Sequence, residues 1–335
     1  MSRHIKINDF TYTENKDLLF DIGYDKEKHP YPDEFFKYYS LSPNSVSAVT
    51  QNYLYASHPA QLNDPFDCDK SLIDIDDKLT QDYLLEKIRD YIVKNKWTAE
   101  DIHSFANEYY YPFEYRRIGI VSLTTKPENE LMWAHYATSK GFCVSFNIKN
   151  LPFKHYGVFP INYVPDIQTI KTSDVGIKIA TAIQCTIKSA NWKYEDEWRL
   201  IVSNPPGDDF ESFGTYASDF NAIGYHDRKM SYPLDAINYV ILGFCFVSDF
   251  DRVTGTDPTS YYFKRKFKCC SFGCHKSREK EDEQMRCEFL DFLITNNIKT
   301  KAQIKTSTLG HYETKEILLQ KVNIYTYSIK LIDYP

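Results

Sequence analysis

Glycine scarcity is the feature that most restricts the folds open to this chain. Only 12 of its 335 residues are glycine, whereas an average usage of about 7% would supply roughly two dozen. Loops that cradle phosphate groups need several glycines within one turn, and the sequence contains neither G-x-G-x-x-G nor G-x-x-x-x-G-K-[ST]. Walker-type NTPases and Rossmann dehydrogenases are therefore disfavoured. Aromatic residues are abundant instead, with 27 Tyr and 22 Phe.

Charge and cysteine usage narrow the class of protein further. The net charge of −6 at pH 7 disfavours a globally basic coat for nucleic acid, although it permits a local basic patch. The sequence has no apolar run of about 18 residues and no apolar leader near its start, so we expect no membrane partner. Most of the eight Cys lie in apolar runs, where a free thiol packs as a small hydrophobic group. A reduced, cytoplasmic protein is expected.

Apolar and aromatic runs predict a β-rich chain with helices inserted between strands. Runs typical of strands cover residues 35–41, 53–59, 119–125, 141–148, 158–164, 192–203, 237–247 and 322–332. Helices are expected over residues 45–51, 80–95, 99–110, 128–140 and 281–297. This order predicts an α+β fold with mixed, β-rich core sheets. We expect an N-terminal arm over 1–34 and a single domain over 35–335, with a helical insertion at 67–118 and a strand-helix-strand extension of the core at 251–335.

The segment from Trp192 to Arg199 carries the most informative pattern of charges. Because side chains alternate along a strand, Glu195, Glu197 and Arg199 are expected on one face. Two carboxylates and a guanidinium in one row are costly to bury unless they pair with one another or meet a ligand. Neighbouring acids can also acquire different pKa values and divide roles, one of them staying ionised. The alternative interpretation is a solvated edge strand with salt bridges.

Two shorter motifs have ordinary structural explanations when each is taken alone. The pair Asn63-Asp64, followed by proline, is typical of a turn after a strand. Trp133 and Tyr136 lie three residues apart on a predicted helix and are more often core than site, and His135 between them is typical of an exposed helix residue. Only the combination of these motifs with the acidic segment indicates a functional site.

Five motifs in a fixed order resemble those of a large bacterial family, the domain-of-unknown-function family 2971 (DUF2971). They are FFKYYS, LYASHPAQLNDPFDC, GIVSLTT, LMWAHYATSKGFCVSFN and NWKYEDEWRL. The resemblance covers about residues 35–250 and includes the apolar strand NYVILGF. The family's name implies no activity.

The same layout is more distantly similar to the ADP-ribosyltransferase fold, and this resemblance implies that NAD is the substrate. In that fold a first strand carries an Arg or His that holds NAD, a second carries a Tyr or Ser at the nicotinamide pocket, and a later strand carries the catalytic Glu, often as E-x-E. The corresponding first strand here has Lys37 and Tyr39 in place of the Arg or His. The second strand has Tyr55 and Ser57.

The resemblance implies that Glu197 is catalytic and that Glu195 positions the acceptor, with His135 as an alternative base for an acceptor hydroxyl. The chemistry of the substrate adds further candidates. The pyrophosphate of NAD requires a cation or backbone donors, and its two rings present π-faces to aromatic side chains. The candidate contacts with NAD are Lys37, Tyr39, Tyr55, Ser57, Asn63, Asp64, Trp133, Tyr136 and Arg199.

These observations predict an NAD-using ADP-ribosyltransferase-like effector, either a toxin or an anti-phage defence component, that modifies protein or nucleic acid. One alternative is a non-catalytic module that senses a nucleotide or a phage component. The other is a metal-dependent nuclease with Asp64, Asp67, Glu195 and Glu197 as ligands. The leading prediction requires NAD as a substrate and no metal.

A basic segment near the C-terminus is the candidate contact for a protein or nucleic-acid acceptor. It runs over Lys264–Lys268, where aromatic residues interleave the cations. Beside it, Cys270, Cys274 and His275 form a candidate zinc set with the more distant Cys287, although the usual C-x2-C pairs are missing. An ordinary solvated loop is the alternative interpretation of this region.

Overall fold

The computed structural model describes residues 4–14, 21–77, 82, 96–105, 118–151, 157–203, 228–248, 251–252, 260–264, 277–305, 312–323 and 326–332. Within these ranges the fold is α+β with a large mixed sheet, as the sequence predicts. Contacts along the chain divide it into two compact units. The first unit comprises residues 1–32, 55–123 and 153–230, and the second comprises 33–54, 124–152 and 231–335.

Short strands and helices alternate along the described residues. The strands are β1 (His4–Ile7), β2 (Phe10–Thr13), β3 (Asp21–Tyr24), β4 (Phe35–Tyr39), β5 (Tyr53–Tyr55), β6 (Ile73–Asp74), β7 (Ile118–Thr124), β8 (Phe142–Phe146), β9 (Gly157–Pro160), β10 (Asn162–Val164), β11 (Ile170–Lys171), β12 (Ile187–Ser189), β13 (Glu197–Ser203), β14 (Lys229–Ser231), β15 (Ile237–Leu242), β16 (Asp251–Arg252), β17 (Ser260–Lys264), β18 (Thr300–Lys305), β19 (Tyr312–Asn323) and β20 (Thr326–Leu331). The α-helices are α1 (Pro43–Thr50), α2 (Ala99–Phe105), α3 (Glu130–His135), α4 (Thr172–Val175), α5 (Ile177–Thr186), α6 (Phe244–Val247) and α7 (Ser277–Thr295).

In the first unit, small sheets surround the buried helix α5. Strands β1, β2 and β3 form an antiparallel sheet, and β9 pairs antiparallel with β13. Strands β10 and β12 pair in parallel, as do β6 and β11. Phe10 and Tyr12 of β2 join Ile179 and Ile183 of α5 in one hydrophobic core. The N-terminal segment that the sequence presents as an arm therefore supplies core residues to this unit.

Helix α5 is the main element that the sequence does not predict. Seven of its residues are buried, including the polar side chains of Gln184 and Thr186. Only Ile177, Lys178 and Thr181 of the helix are half-buried, so the polar face that would mark an amphipathic helix is narrow. The run IKIATAIQCT is also rich in β-branched residues, which are typical of strands.

In the second unit, eight described strands form one mixed sheet in the order β16-β17-β20-β19-β18-β15-β8-β4. Strands β15 and β18 are parallel, and the other described neighbours in this series are antiparallel. Helix α7 supplies Phe289, whose ring stacks on that of Phe142 with centroids 4.0 Å apart. Aromatic residues thus form much of the core of this unit, and part of the aromatic excess is explained by packing.

Several predicted elements are confirmed, β4 and β8 with shorter bounds and α1 and β7 with bounds that differ by one or two residues. The predicted strand 237–247 is wrong after Leu242, because the chain turns at Gly243 and continues as α6. A Cβ atom at Gly243 would lie 2.6 Å from the carbonyl oxygen of Ser139, so this turn requires glycine. The predicted helix 80–95 lies outside the described residues except for residue 82.

Candidate active site

A local turn brings Glu195 and Glu197 to one place, although only Glu197 lies on a strand. The hydroxyl of Ser189 accepts a backbone hydrogen bond at the start of the 3-10 helix Ala190–Glu195. Asp196 ends that helix in the left-handed region, with a φ of 46°, and β13 begins at the next residue. The predicted continuous strand is therefore wrong before Glu197, because the capped turn and the left-handed aspartate redirect the chain.

Five charged side chains of the first unit lie together in its interior, and we call them the charge cluster. Its members are Asp67, Lys188, Glu195, Glu197 and Arg199. None of them is more than 6% exposed. The predicted proximity of the two glutamates and the arginine is therefore found, although Glu195 precedes the strand, and the three side chains are buried and not solvated.

Lys188 lies at the centre of the charge cluster. Its ammonium Nζ donates to Glu195 Oε2 at 2.6 Å and to Glu197 Oε2 at 3.0 Å. Asp67 Oδ2 lies 3.4 Å from the same nitrogen. The ring centroid of Trp192 lies 5.1 Å from it, within the range of a cation–π contact. One ammonium thus links carboxylates from three segments of the chain.

Arg199 uses all three of its guanidinium nitrogens within this region. Nε donates to Glu197 Oε1 at 2.8 Å, and Nη2 donates to Glu197 Oε2 at 3.1 Å and to Asp67 Oδ2. Nη1 donates to the carbonyl of Cys185 at 2.9 Å. The paired bonds to one carboxylate are the planar, two-point contact that arginine provides, so the position of Glu197 is fixed.

Electrostatics keeps Glu197 and Lys188 charged in spite of their burial. Burial alone raises the pKa of the Glu197 carboxyl, but the charges of Arg199 and Lys188 outweigh this effect and lower the pKa to about 2. Burial likewise disfavours the charged form of Lys188, yet the carboxylates of Glu197 and Asp67 raise its pKa above the ordinary value. Glu197 is therefore a carboxylate at neutral pH, and Lys188 is an ammonium.

The cluster carries an excess of negative charge. Three carboxylates face two cations, which gives the five side chains a formal charge of −1. Among the described residues, the buried Oδ1 of Asp67 has no hydrogen-bond partner. The Tyr163 hydroxyl accepts a hydrogen bond from the N–H of Glu197 at 2.9 Å, and burial raises the pKa of this phenol, so it stays protonated.

The Asn-Asp-Pro turn positions Asp67 of the cluster. The carboxylate of Asp64 accepts a hydrogen bond from the N–H of Phe66 at 3.0 Å, and the carbonyl of Asp64 accepts one from the N–H of Asp67 at 3.0 Å. Asp64 is buried, whereas Asn63 and Phe66 are exposed. The turn therefore has a structural role that holds one end of the charge cluster.

Tyr55 is the last residue of β5 and Ser57 lies two residues beyond it, and both belong to the first unit. Both are half-buried. Ser57 exchanges two backbone hydrogen bonds with Ile120 of β7, at 2.9 and 2.8 Å. Ser57 is thus fixed in position by its main chain.

The remaining candidates lie in the second unit. The Nζ atom of Lys37 lies 5.7 Å from the ring centroid of Tyr39, which is buried. Trp133 is 3% exposed, and its indole N–H donates to a backbone carbonyl at 2.9 Å. His135 is exposed and Tyr136 is half-buried. The structure therefore groups Glu195, Glu197 and Arg199 in one unit and places these five residues in the other.

Part of the predicted acceptor and zinc region lies outside the described residues. This applies to residues 265–268 of the basic segment and to Cys270, Cys274 and His275, whereas Cys287 is buried on α7. In the described ranges no group of three His, Cys, Asp or Glu side chains is arranged to hold a metal ion. No described helix has the length and apolar character needed to cross a membrane.

Lys188 is the residue that sequence reasoning misses. The nuclease hypothesis places a metal ion among carboxylates that include Asp67, Glu195 and Glu197, and in the structure the Lys188 ammonium lies between these three. The signal that the sequence offers for Lys188 is the position of this residue just before the acidic segment, on what the structure shows to be the short strand β12. A single lysine is usually exposed, so that signal alone is weak.

Comparisons with known proteins match part of the chain to one family. No curated protein and no solved structure matches the chain significantly. The matched family region contains most of α3, the buried strand β8, Lys188 and the acidic turn that leads into β13. Residues 132–200 match the model of a family described as protein of unknown function (DUF2971), which confirms the resemblance over the part of the chain that contains most of the fourth motif and the whole of the fifth.

Proposed function

We propose that the protein is an NAD-using ADP-ribosyltransferase-like enzyme that transfers ADP-ribose to a protein or nucleic-acid acceptor, as a toxin or a defence effector. The observation that best supports this proposal is the Glu197 carboxylate, which is ionised, buried and held by Arg199 and Lys188. Glu197 is also the second residue of the E-x-E pair to which the distant resemblance assigns catalysis.

The proposed reaction requires a fixed negative charge beside the ribose. The bond between N1 of nicotinamide and C1′ of the ribose breaks, its electron pair stays on the nitrogen, and neutral nicotinamide leaves. Positive charge develops on the ribose, and an ionised carboxylate that needs no reorganisation stabilises it. An acceptor oxygen or nitrogen then bonds to C1′, and its proton passes to the carboxylate of Glu195 and on to solvent.

The pairing within the cluster favours this chemistry over recognition of an added phosphate. Lys188 and Arg199 already bond to carboxylates of the cluster, whereas the ionised carboxylate of Glu197 attracts developing positive charge. Arg199 already donates from every nitrogen to groups of this region. We therefore assign Arg199 to holding Glu197, and not to the pyrophosphate of NAD.

Release of nicotinamide tests the proposal directly. Purified protein is incubated with NAD labelled in the nicotinamide ring, with and without cell lysate as a source of acceptors. Glu197→Gln keeps the shape of the side chain and removes its charge, so nicotinamide release should fall by about 10²–10³-fold, the usual effect of losing one charge-stabilising group. The matched control is Asp166→Asn, which removes an exposed carboxylate of the same unit and should release nicotinamide at the wild-type rate. A folded wild-type protein that releases no nicotinamide under either condition would refute the proposal.

Glu195→Gln separates the two carboxylates of the pair. If Glu195 receives the acceptor proton, this variant should still release nicotinamide but should transfer less label to lysate components when the adenylate of NAD is labelled. Equal loss of release and transfer would assign Glu195 to bond cleavage instead.

The burial of the charge cluster favours a second candidate function, a binding module that senses a nucleotide or a phage component without turnover. All five cluster residues are at most 6% exposed, and a buried polar network can serve structure alone. This candidate predicts that Glu197→Gln retains cellular activity as long as the protein folds. The enzyme proposal predicts that it loses cellular activity while keeping a near-native structure.

A further inference from the structure

The contacts of Lys188 differ from those of an ordinary structural lysine. Its Nζ atom lies 2.6 Å from Glu195 Oε2, 3.0 Å from Glu197 Oε2 and 3.4 Å from Asp67 Oδ2. Both carboxylates of the E-x-E pair therefore share one hydrogen-bond donor. Without that donor, two like charges would face each other in a buried region.

The surroundings of Lys188 tie its ammonium to the E-x-E pair. The residue is 4% exposed and comes from β12, while the glutamates come from the following turn and strand. Trp192 covers the ammonium at 5.1 Å. A buried cation is costly unless it is paired, so the lysine and the two glutamates depend on one another for their positions.

We infer that Lys188 is a positioning residue of the proposed reaction, which orients the Glu195 and Glu197 carboxylates toward the substrate. The inference rests on the proposed function for its catalytic consequence. Arg199 fixes Glu197 from one side through Nε and Nη2. Lys188 donates to both glutamates, so it sets the position of one carboxylate relative to the other.

The first test measures the protonation of Glu197 itself, so it does not depend on turnover. The protein is labelled with ¹³C at the carboxyl carbons of glutamate, and the Glu197 resonance is identified by its absence from Glu197→Gln. In Lys188→Met the resonance should titrate at a pH higher by about one unit or more than in the wild type, because one of the two stabilising cations is gone. In Lys188→Arg, which keeps the charge, it should titrate within about half a unit of the wild type. An unchanged titration in Lys188→Met would overturn the inference.

The second test measures catalysis. Lys188→Met should lower kcat for nicotinamide release by about tenfold or more and leave KM within about threefold, and the acid limb of the pH profile should move to higher pH. The matched control is Lys193→Met, an exposed lysine of the neighbouring 3-10 helix, which should keep the wild-type profile. A wild-type protein without nicotinamide release refutes the proposed function, whereas the carboxyl titration still decides whether Lys188 holds Glu197.

A charge-matched variant distinguishes positioning from stability. Lys188→Met combined with Glu195→Gln keeps the formal cluster charge of −1, because it removes one cation and one carboxylate. Its melting temperature should recover relative to Lys188→Met alone, while its kcat should stay about tenfold or more below that of Glu195→Gln. Recovery of both quantities would show that Lys188 acts through net charge and fold, and would overturn the inference.

Discussion

Acidification should destabilise the protein through Glu197 by an amount that the charge cluster determines. Its carboxyl has a pKa of about 2 in the folded protein, and about 4.3 is expected in the unfolded chain. A group whose pKa is lower in the folded state adds stability above the unfolded value, and this contribution is lost as the pH falls toward the folded value. The difference between the two pKa values corresponds to about 3 kcal/mol, since each unit is worth about 1.4 kcal/mol.

Urea unfolding between about pH 2 and pH 7 measures this contribution. The free energies of unfolding of the wild type and Glu197→Gln are compared at each pH by circular dichroism. Glutamine cannot ionise, so the advantage of the wild type should be greatest near neutral pH. It should shrink by about 3 kcal/mol as the pH falls from about 6 to about 2, with most of the change below about pH 4.5.

Leu200→Ala is the matched control for this measurement. Leu200 is a neighbour of Glu197 on β13, is 1% exposed and carries no titrating group. Its truncation should cost about 2–5 kcal/mol through loss of packing, and the cost should not depend on pH. If the difference for Glu197→Gln is equally flat with pH, the cluster does not hold this carboxylate ionised, and the electrostatic basis of the proposed function is refuted.

Three further predictions concern packing and buried polar groups. Trp198 is 3% exposed and contacts the rings of Tyr24 and Tyr31 edge-on, with ring centroids 5.7 and 5.6 Å apart. Trp198→Ala should therefore lower the free energy of unfolding, measured in urea, by about 3–5 kcal/mol. A loss below about 1 kcal/mol would contradict this packing. The buried hydroxyl of Tyr232 has no hydrogen-bond partner among the described residues. Tyr232→Phe should therefore raise the free energy of unfolding by about 1 kcal/mol and the melting temperature with it. A melting temperature below that of the wild type would indicate that the hydroxyl is hydrogen-bonded. A Cβ atom at Gly141 would overlap the carbonyl oxygen of Tyr39 on β4, so Gly141→Ala should reduce soluble expression and stability. Wild-type stability of this variant would show that the backbone can move apart at this point.

Strands buried on both faces could be predicted from the sequence because their signal is local. All five residues of β8, FCVSF, are buried, and the run is continuously apolar apart from Ser145. The same reasoning identified β4 and most of β15. It failed at the end of β15, where Gly243 and the close carbonyl of Ser139 turn the chain into α6.

The acidic segment shows how a local prediction can be right about proximity and wrong about conformation. Alternation along a strand predicted that Glu195, Glu197 and Arg199 lie together. In the structure Glu195 belongs to a 3-10 helix, and the left-handed Asp196 between the glutamates brings both to the same ammonium. The proximity of the two carboxylates depends on Lys188, and the alternation of side chains within the segment gives no information about that residue.

The partners of the segment lie far away in the sequence, and this explains why the rest could not be predicted. Arg199 bonds to Asp67 across 132 positions, and the turn that holds Asp67 begins at a motif typical of any surface loop. Whether a lysine is exposed or buried depends on such distant partners and not on its own neighbours. The nuclease alternative already groups Asp67 with the two glutamates, but as metal ligands, and Lys188 joins this site only through the fold.

The composition of the charge cluster supports a role beyond folding. Well-packed apolar residues often replace buried ion pairs without loss of stability, so a stable interior does not require five buried charges. A cluster that served stability alone would also be expected to pair its buried acceptors, yet Oδ1 of Asp67 has no partner among the described residues. The ionised carboxylate of Glu197 is the feature that cleavage of a nicotinamide glycosidic bond would use, because the ribose becomes positive only in the transition state. Glu197→Gln should therefore lower the rate of nicotinamide release by more than the accompanying loss of stability accounts for.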